Sequence, residues 1–306
     1  MSMRYPAGFI SAFYNPLQNP NAPTIGTATT SSATSLTISF TAPSNVGGSP
    51  ITSYVATARR TSDGVLFNAS GASSPITITG LTAVAFTVTV VAVNSYGPSA
   101  PSAASNSITP ALPAIGDAFG GGFYAGQIST AGNGVADFNL VIGPVSSAQA
   151  TGVQWKTSQT STAGTSSDID GPTNSANMNN ASHPAAQFCE GLTIGGFGDW
   201  YMPAKNELEV CYFNLKPNTT NNNTASGTNI NAVPSRGSNY TLGTPAQTSA
   251  TAFRTGGAQV FITDNYWPST EFSSANAWLQ NFNGGVQSNY FKTYSGRVRA
   301  VRRVAV

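Results

Sequence analysis

Short runs in which apolar and polar residues alternate fill the first third of the chain. Residues 36–40 and 87–93 follow this period of two, which is typical of strands that bury one face. Turn-forming pairs such as Gly47-Gly48 and Asp63-Gly64 separate the runs. About seven short strands at this spacing predict a β-sandwich over residues 21–111.

The pattern changes after a linker rich in Ser, Pro and Ala at residues 104–113. Residues 112–306 mix strand and helix signals, which predicts an α+β domain and, for the whole chain, a mainly β fold. Pro203 precedes one predicted helix, which carries acidic residues in its first turn. The predicted elements are strands at 120–124 and 138–142, helices at 185–192 and 205–213, and strands at 259–263, 277–282 and 297–304.

Residues 1–20 carry aromatic side chains between turn-forming Asn-Pro pairs. The segment is too short to fold alone, but its aromatic anchors suit docking. We predict an attachment arm that adds to the sheet or groove of a neighbouring protein; the alternative is a tail that packs on its own chain. The anchoring residues are Tyr5, Phe9, Phe13 and Tyr14.

Charged residues make up only 8% of the 306 residues, and the net charge is +2. Nucleic-acid binding rests on clustered Lys and Arg. The near-neutral chain has a single local cluster of this kind, at residues 297–303, and no electrostatic footprint beyond it, so we exclude nucleic-acid binding. No apolar run approaches the roughly 18 residues of a membrane span, and the first residues lack the apolar core of a secretion signal. We therefore expect release by lysis or by a non-classical route, as for a phage structural protein.

Several stretches of the predicted sandwich occur in an order known from one family. They are Pro23, Ser39-Phe40-Thr41-Ala42-Pro43, Ile51-Thr52-Ser53-Tyr54, Gly80-Leu81, Val91-Ala92-Val93-Asn94-Ser95-Tyr96-Gly97 and Ser102. Together they resemble a fibronectin type III domain, which implies a spacer or docking module. Phe40 and Phe86 replace the usual Trp and Tyr of that family, and an aromatic ring still fills each volume.

Five further stretches follow one another in the second part of the chain. They are Ile115-Gly116-Asp117 with Gly120-Gly121-Gly122-Phe123-Tyr124, Gly196-Phe197-Gly198-Asp199-Trp200-Tyr201-Met202-Pro203, Lys205-Asn206-Glu207-Leu208, Tyr266-Trp267-Pro268-Ser269-Thr270-Glu271, and Ala277-Trp278 with Arg297-Val298-Arg299-Ala300-Val301-Arg302. The ordered set resembles the C-type-lectin-like domain of bacterial and phage surface proteins, including targets of diversity-generating retroelements. The resemblance implies that two pieces, Asp199-Trp200-Tyr201-Met202-Pro203 and Trp267-Pro268-Ser269-Thr270-Glu271, are scaffold. We expect Trp200, Trp267 and Trp278 to be core residues, and Glu271 to pair with C-terminal arginines.

Domains of this kind present binding residues on their last strands and loops, here residues 273–295. The composition of this segment suits recognition, because amides offer adaptable hydrogen bonds and tyrosines offer rigid contact area. A solvated hairpin that touches nothing is the alternative. The candidate ligand-binding residues are Asn276, Gln280, Asn283, Gln287, Asn289, Tyr290, Lys292 and Tyr294.

Candidate catalytic residues are few. His183 is the sole histidine, which excludes a multi-histidine metal site, and its place before a predicted helix favours capping or exposure. Glu207 and Glu209 lie two apart on a helix and face different ways, so they cannot share a substrate atom. We expect neither enzymatic activity nor a cofactor.

Two features of the second part leave alternatives open. Cys189 and Cys211 lie on the two predicted helices, where they form either a disulfide or two buried thiols. Residues 168–174 resemble the start of a calcium loop but lack the acid that an EF-hand supplies at position twelve. We expect no metal there.

These features together predict a virion protein with an arm at 1–20, a fibronectin type III-like sandwich at 21–111 and a C-type-lectin-like domain at 112–306. We expect it to act as a phage tail fibre or baseplate adhesin that recognises a host cell-surface glycan or protein. The arm would contact other virion proteins, and several copies, three by analogy with fibres, would add avidity. The alternative is a capsid-decorating protein or head fibre anchored by the arm.

Overall fold

The computed structural model describes residues 17–32, 34–82 and 84–306. The chain divides into two compact units, and the boundary falls between Leu112 and Pro113. The predicted anchors of the arm, Tyr5, Phe9, Phe13 and Tyr14, lie outside the described residues, so the arm stays a prediction.

The N-terminal unit is a sandwich of two antiparallel sheets, as the period-two pattern predicts. One sheet has the strand order β1-β2-β5 and the other β4-β3-β6-β7. Alternate residues of β6, from Phe86 to Ala92, are fully buried between the sheets. The strands are β1 (Thr24–Ser32), β2 (Ser35–Thr41), β3 (Ser53–Arg60), β4 (Leu66–Gly71), β5 (Ile76–Ile78), β6 (Phe86–Asn94) and β7 (Gly97–Pro98).

The two aromatic positions that depart from the fibronectin type III pattern lie in this core. The Phe40 ring lies 4.7 Å from that of Tyr54, centre to centre. Phe86 is fully buried and meets Phe67 edge-on at 5.7 Å. Each phenylalanine thus fills its volume with aromatic contacts and needs no polar partner.

The C-terminal unit contains strands and helices in mixed order, and the predicted α+β class is confirmed. Both predicted helices are present, as α3 and α4. The elements are β8 (Ala118–Phe119), β9 (Gly122–Ile128), β10 (Phe138–Ile142), α1 (Val145–Ala148), β11 (Gln149–Val153), α2 (Gly171–Ala176), α3 (Pro184–Glu190), α4 (Lys205–Leu215), β12 (Ala232–Val233), a short 3-10 helix (Thr251–Phe253), β13 (Asn265–Tyr266), β14 (Asn276–Asn281), β15 (Gln287–Phe291), β16 (Gly296–Arg299) and β17 (Val301–Ala305). Within the described residues, none of the helices is long and apolar enough to cross a membrane.

Two five-stranded sheets organise the C-terminal unit. One follows the order β12-β9-β10-β17, with β8 beside β9, and the other follows β11-β16-β13-β14-β15. The predicted single strand at 297–304 is divided at Ala300 into β16 and β17, which belong to different sheets. Ala300 is fully buried, and its N–H and C=O bond to Ala148 and Gly143, so the chain turns a corner there.

The predicted strand at 259–263 is wrong, because this segment has no strand partner in the structure. Gln259 instead bonds to α1 and β16: its side-chain oxygen accepts from the Val145 N–H, and its backbone oxygen accepts from the Arg299 guanidinium. Phe261 is fully buried and stacks on Phe282. Apolar alternation here reflects insertion into the core rather than pairing in a sheet.

Helix α4 is the central helix of the C-terminal unit. Its N-cap residue, Ala204, has no side-chain acceptor, but the Glu207 carboxylate accepts from the Ala204 N–H at 2.7 Å. Thr270 supplies a second acceptor, for the Lys205 N–H at 3.0 Å. The helix start is therefore fixed by its own first turn and by the segment that precedes β14.

Candidate recognition surface

Strands β14 and β15 form a hairpin at one edge of their sheet, and its two faces differ. Ala277 and Leu279 point into the core beside Trp155 and Trp267. Residues of opposite parity, including Trp278, point to the other face. We call that other face, defined by Phe272, Asn276, Trp278, Asn289 and Phe291, the Trp278 face.

The Trp278 face exposes aromatic rings around a pair of amides. Phe272 is 50% exposed and Phe291 51%, and Phe272 meets the half-buried Trp278 ring edge-on at 5.1 Å. Between them, the Asn276 amide donates to the Asn289 oxygen at 2.8 Å. Large exposed rings beside amide groups have the composition that the binding interpretation of this hairpin predicts.

A pocket of about 210 Å³ adjoins Trp278. Its charged wall is Lys205, whose ammonium lies 4.2 Å from the centre of the Trp278 ring and 3.2 Å from an Asp168 oxygen. Its opposite wall includes Thr228 and Asn239, joined by a hydroxyl-to-amide hydrogen bond of 2.7 Å. The pocket thus combines an aromatic ring, an ammonium group and neutral donors.

A second pocket, of about 350 Å³, shares Asn239 with the first. There the Arg236 guanidinium lies 3.9 Å from the centre of the Phe213 ring and pairs with the buried Glu209. The segment between the pockets needs Gly227 (φ +111°), because a Cβ at this position would lie 2.2 Å from the Tyr240 ring. The two pockets form one continuous lining next to the Trp278 face.

Two of the predicted ligand-binding residues do not reach the surface. Lys292 is fully buried and pairs with Glu271. Gln280 is 2% exposed, since it lies where α4 packs against β14. The prediction for these two residues is wrong, because each long polar side chain faces the interior of the unit.

The other predicted residues remain at least partly accessible, at three different places. Asn276, Gln287 and Asn289 lie on or beside the Trp278 face, while Asn283 is at the hairpin tip, bonded by Asn218 at 3.1 Å. Tyr290 points to the opposite face, 49% exposed, and its ring contacts Tyr294, which in turn packs on Trp267. One strand therefore divides the predicted residues between two faces.

Sequence reasoning missed Phe272, Trp278 and Lys205 as members of this surface. Trp278 was expected in the core, but it is only half-buried, whereas Trp200 and Trp267 are buried as predicted. The sequence did contain a signal for Trp278. Residues two apart on a strand lie on the same face, so Trp278 shares a face with Asn276, which was a predicted ligand-binding residue.

Buried charges hold a long loop beneath the hairpin. The Lys292 ammonium donates to the Glu271 carboxylate and to the backbone oxygens of Thr160 and Ser274, both at 2.9 Å. Lys156 donates to the same loop, reaching Ser161 O at 2.9 Å. Glu271 was expected to pair with a C-terminal arginine; its partner is Lys292, because both flank the start and end of the same hairpin.

His183 completes this cluster. It is the N-cap residue of α3, the position that the sequence predicts, but its side chain makes no capping bond, and at 4% exposure the alternative of an exposed histidine is wrong. Its Nδ1 lies 2.9 Å from the Asn180 oxygen, which can only accept, so Nδ1 carries the proton. Its Nε2 therefore accepts from the Thr162 hydroxyl at 2.9 Å. Burial, and then the ammonium groups of Lys156 and Lys292, lower the pKa of His183 to about 4.

We expect acid to destabilise the C-terminal unit through His183. Its neutral form is the folded form, so its contribution is complete above the ordinary pKa of 6.5 and is lost as the pH falls towards about 4. This shift in the pKa of His183 corresponds to about 3 kcal/mol of the free energy of unfolding of the C-terminal unit. All four tryptophans lie in the C-terminal unit, so tryptophan fluorescence in urea measures its unfolding alone. The His183→Gln variant should lose about 3 kcal/mol less than the parent between pH 7 and pH 4; equal losses would contradict the assignment.

Three of the four C-terminal arginines have acidic partners. Arg302 binds Asp199 through two bonds of 2.7 and 2.9 Å, Arg303 binds Glu207 at 2.8 Å, and Arg297 binds Asp264 at 2.9 Å. The fourth, Arg299, is fully buried and donates to backbone oxygens, and burial lowers its pKa to about 10. The one basic cluster of the sequence is thus committed to internal contacts.

The remaining candidate chemistry is structural. Cys189 and Cys211 are free, buried thiols that belong to different core clusters. Of the two alternatives, a disulfide or two buried thiols, the structure has the two buried thiols. Asp170 caps α2, where it accepts from the Thr173 N–H at 3.3 Å. Among the described residues, no three His, Cys, Asp or Glu side chains gather as a metal site would require.

The chain is similar over about a third of its length to solved structures of fibronectin type III domains. The chain is similar to titin module A71 from human cardiac muscle, with 28% identity over 30% of this chain and 91% of that chain and a TM-score of 0.26. It is similar to the FN5 domain of Drosophila Lar with 22% identity over 31% of this chain and 99% of that chain and a TM-score of 0.26. It is also similar to the twitchin kinase region from C. elegans, with 22% identity over 31% of this chain and a TM-score of 0.27. The match covers 17% of that chain, so this chain spans less than a fifth of it. No curated protein matches the chain.

Two family models match the chain. The fibronectin type III model matches residues 21–108, and the model of the Lcl C-terminal domain matches residues 145–302. This combination indicates a surface protein of the adhesin type. Because the second model covers more than half of the 306 residues, the chain belongs to the family of the Lcl C-terminal domain.

Proposed function

We propose that the chain is a receptor-binding part of a phage tail fibre or baseplate, and that its C-terminal unit is C-type-lectin-like. On this proposal the protein resides in the virion and binds a host cell-surface glycan or protein. The observation that carries the proposal is the Trp278 face with its adjoining pocket. It is the place where exposed rings, the hydrogen-bonded amides of Asn276 and Asn289 and a cationic group converge.

The physical basis is contact on a rigid scaffold. Phe272 and Phe291 offer apolar area, and each ring has few rotamers to lose on binding. The hairpin beneath them is held by the buried Lys292–Glu271 pair, so little ordering remains to oppose binding. Several weak contacts of this kind would act together where a particle carries several copies.

The other segments fit the same proposal. The fibronectin type III unit would act as a spacer, and Tyr5, Phe9, Phe13 and Tyr14 would anchor the chain to other virion proteins. The protein would act by binding and would need neither a cofactor nor a catalytic step.

Immunogold electron microscopy on particles that carry the chain tests the location. With an antibody against residues 113–306, we expect label at the tail tip or baseplate. Label spread over the capsid would instead support the capsid-decorating alternative and would overturn the tail assignment.

Removal of the exposed rings tests the surface. We expect the full-length Phe272→Ala/Phe291→Ala variant to bind host cells at least about tenfold more weakly than the parent, because anchor rings dominate binding energy. Ile230 is 54% exposed and belongs neither to the Trp278 face nor to the lining of either pocket, so Ile230→Ala is the matched control and should bind normally. Fluorescence-based cell-binding titrations measure both, and unchanged binding by the double variant would contradict the proposal.

A further inference from the structure

The two pockets beside the Trp278 face meet at Asn239, and together we call them the groove. Their volumes are about 210 and 350 Å³. Trp278 lines the smaller pocket and Phe213 the larger one. Each pocket alone lies near the lower end of the size range of small-molecule sites, whereas a ligand that passes Asn239 occupies both. The groove therefore suits an elongated ligand with at least one unit in each pocket.

The groove carries no uncompensated charge. Of the described residues that line it, two are cationic and none is acidic. Lys205 pairs with Asp168 at 3.2 Å, and Arg236 pairs with the buried Glu209. An anionic ligand would have to displace these carboxylates or lie beside them, and both arrangements are unfavourable. The charges of the groove thus favour an uncharged ligand.

Several polar groups of the groove are donors that still need an acceptor. The Asn239 oxygen accepts from the Thr228 hydroxyl at 2.7 Å, and the Gln287 side-chain oxygen accepts from the Gly227 N–H at 3.4 Å. Within the part of the chain that the structure describes, neither amide NH2 group has an acceptor, and the indole N–H of Trp278 has none either. A ligand hydroxyl oxygen accepts from such donors without bringing a charge.

Short hydroxyl side chains complete the larger pocket. Beside the Phe213 ring it is lined by Ser235, Ser238, Thr241 and Thr244. A hydroxyl both donates and accepts, so it matches a ligand hydroxyl in either sense. A sugar presents hydroxyls at the rim of its ring and C–H groups on the faces, which pack against aromatic side chains. A protein partner would instead insert large apolar anchors, and pockets lined by serine, threonine and amide groups offer these little.

We propose that the groove binds a neutral, linear oligosaccharide of the host cell surface, with sugar units in both pockets. This inference rests on the proposed function and narrows the receptor from a glycan or protein to an uncharged glycan. Asn239 has the central position, because its amide lines both pockets and can donate to neighbouring sugar units. The exposed rings of Phe272 and Phe291 would extend the contact beyond the smaller pocket.

Binding of the fluorescently labelled full chain to treated host cells tests the class of ligand. Periodate cleaves the vicinal diols of sugars, whereas proteinase K removes surface proteins. We expect periodate to weaken binding at least about tenfold and proteinase K to change it by less than about twofold. A tenfold rise in the sodium chloride concentration should also change the Kd by less than about twofold, because a neutral ligand releases no counterions.

Three results would overturn this proposal and leave the proposed function standing. Binding that survives periodate shows that sugar diols are not recognised. Binding that is lost after proteinase K indicates a protein receptor, and binding that falls steeply with salt indicates an acidic glycan. A parent that does not bind untreated cells would instead contradict the proposed function itself.

Two full-length variants test the groove. Asn239→Asp keeps the oxygen that accepts from Thr228 but removes the amide donor, and Ser238→Tyr fills the larger pocket from an exposed position. We expect each to bind untreated cells at least about tenfold more weakly than the parent. Asn179→Ala, at an exposed residue that lines neither pocket, is the matched control and should bind normally. Tryptophan fluorescence in urea identifies a variant that has lost its fold, in which case the other variant decides; normal binding by a folded variant would overturn the proposal.

Discussion

Replacing Lys292 with methionine is expected to lower the free energy of unfolding of the C-terminal unit by about 3–5 kcal/mol. Lys292 is fully buried and contacts the Glu271 carboxylate, Thr160 O and Ser274 O. Removing the ammonium leaves the Glu271 carboxylate without its cation and Ser274 O without a donor. Thr160 O keeps the Lys156 ammonium as a donor at 3.1 Å, so the loop that Thr160 belongs to would lose one of its contacts with the hairpin.

Urea unfolding followed by tryptophan fluorescence measures this loss. Arg60→Met is the matched control, because it also removes a cation from an ion pair, but the Asp63 partner is 46% exposed. That variant should change the stability of the N-terminal unit, followed by circular dichroism, by less than about 1 kcal/mol. A Lys292→Met protein as stable as the parent would show that the buried pair does not hold the hairpin.

Replacing Glu209 with leucine is expected to cost a similar amount, about 3–5 kcal/mol. Glu209 is fully buried and accepts from Arg236, from the Tyr240 hydroxyl at 2.6 Å and from the Asn229 amide at 2.5 Å. Burial raises the pKa of this carboxyl, while the Arg236 guanidinium opposes the rise. Without the carboxylate, three donors lose their common acceptor.

The Glu209 change should also loosen residues 226–240, because Asn229, Arg236 and Tyr240 all bond to this carboxylate; the two ends of the segment, 226–228 and 235–240, contribute to the lining of the two pockets. Hydrogen exchange measured by mass spectrometry should show faster exchange in this segment than in β9 or β10. Glu209→Gln is the matched control, since it keeps an acceptor for Tyr240 and the shape of the side chain, and it should cost less. Equal exchange rates in the parent and in Glu209→Leu would show that the Glu209 carboxylate does not keep residues 226–240 ordered.

The sandwich could be predicted from the sequence because its strands bury one face each. In β6 every second residue is buried, and from Phe86 to Val90 the buried residues are apolar and the others are threonines. Helix α4 could be predicted for a similar reason, since its first-turn acid and Pro203 are local signals. Local sequence patterns were enough to predict an element wherever its buried residues recur with the spacing of a strand or helix, or where its ends carry their own signals.

The two-sheet corner at Ala300 could not be predicted in the same way. Residues 298–302 are all buried, so the segment has no alternating pattern to mark the change of sheet. A continuous buried run is compatible with one long strand or with two short ones. The distinction is made by the backbone bonds of Ala300 to Ala148 and Gly143, which are distant in sequence.

The candidate site was only half predictable, and the reason lies in the long polar side chains. Lysine and glutamine are usually exposed, and residues 273–295 were interpreted on that basis. Lys292 is buried because Glu271 lies opposite it, and Gln280 is buried because α4 covers it. Neither contact leaves a signal in the residues of the hairpin itself.

Buried lysines also explain how the long polar loops are ordered. Three of the four lysines, Lys156, Lys216 and Lys292, are buried. Lys216 donates to the Asn222 side chain at 2.7 Å and to Pro245 O at 3.2 Å. Ammonium groups that bind several oxygens hold these loops in place without a hydrophobic core beneath each loop.

Competition for adsorption tests the central claim, recognition through the Trp278 face, most directly. Host cells are first incubated with the purified full-length chain, and the adsorption of particles that carry the chain is then counted. We expect the parent and Ile230→Ala to block adsorption and Phe272→Ala/Phe291→Ala to leave it unchanged. Equal blocking by the double variant, or no blocking by a parent that saturates the cells, would contradict the account.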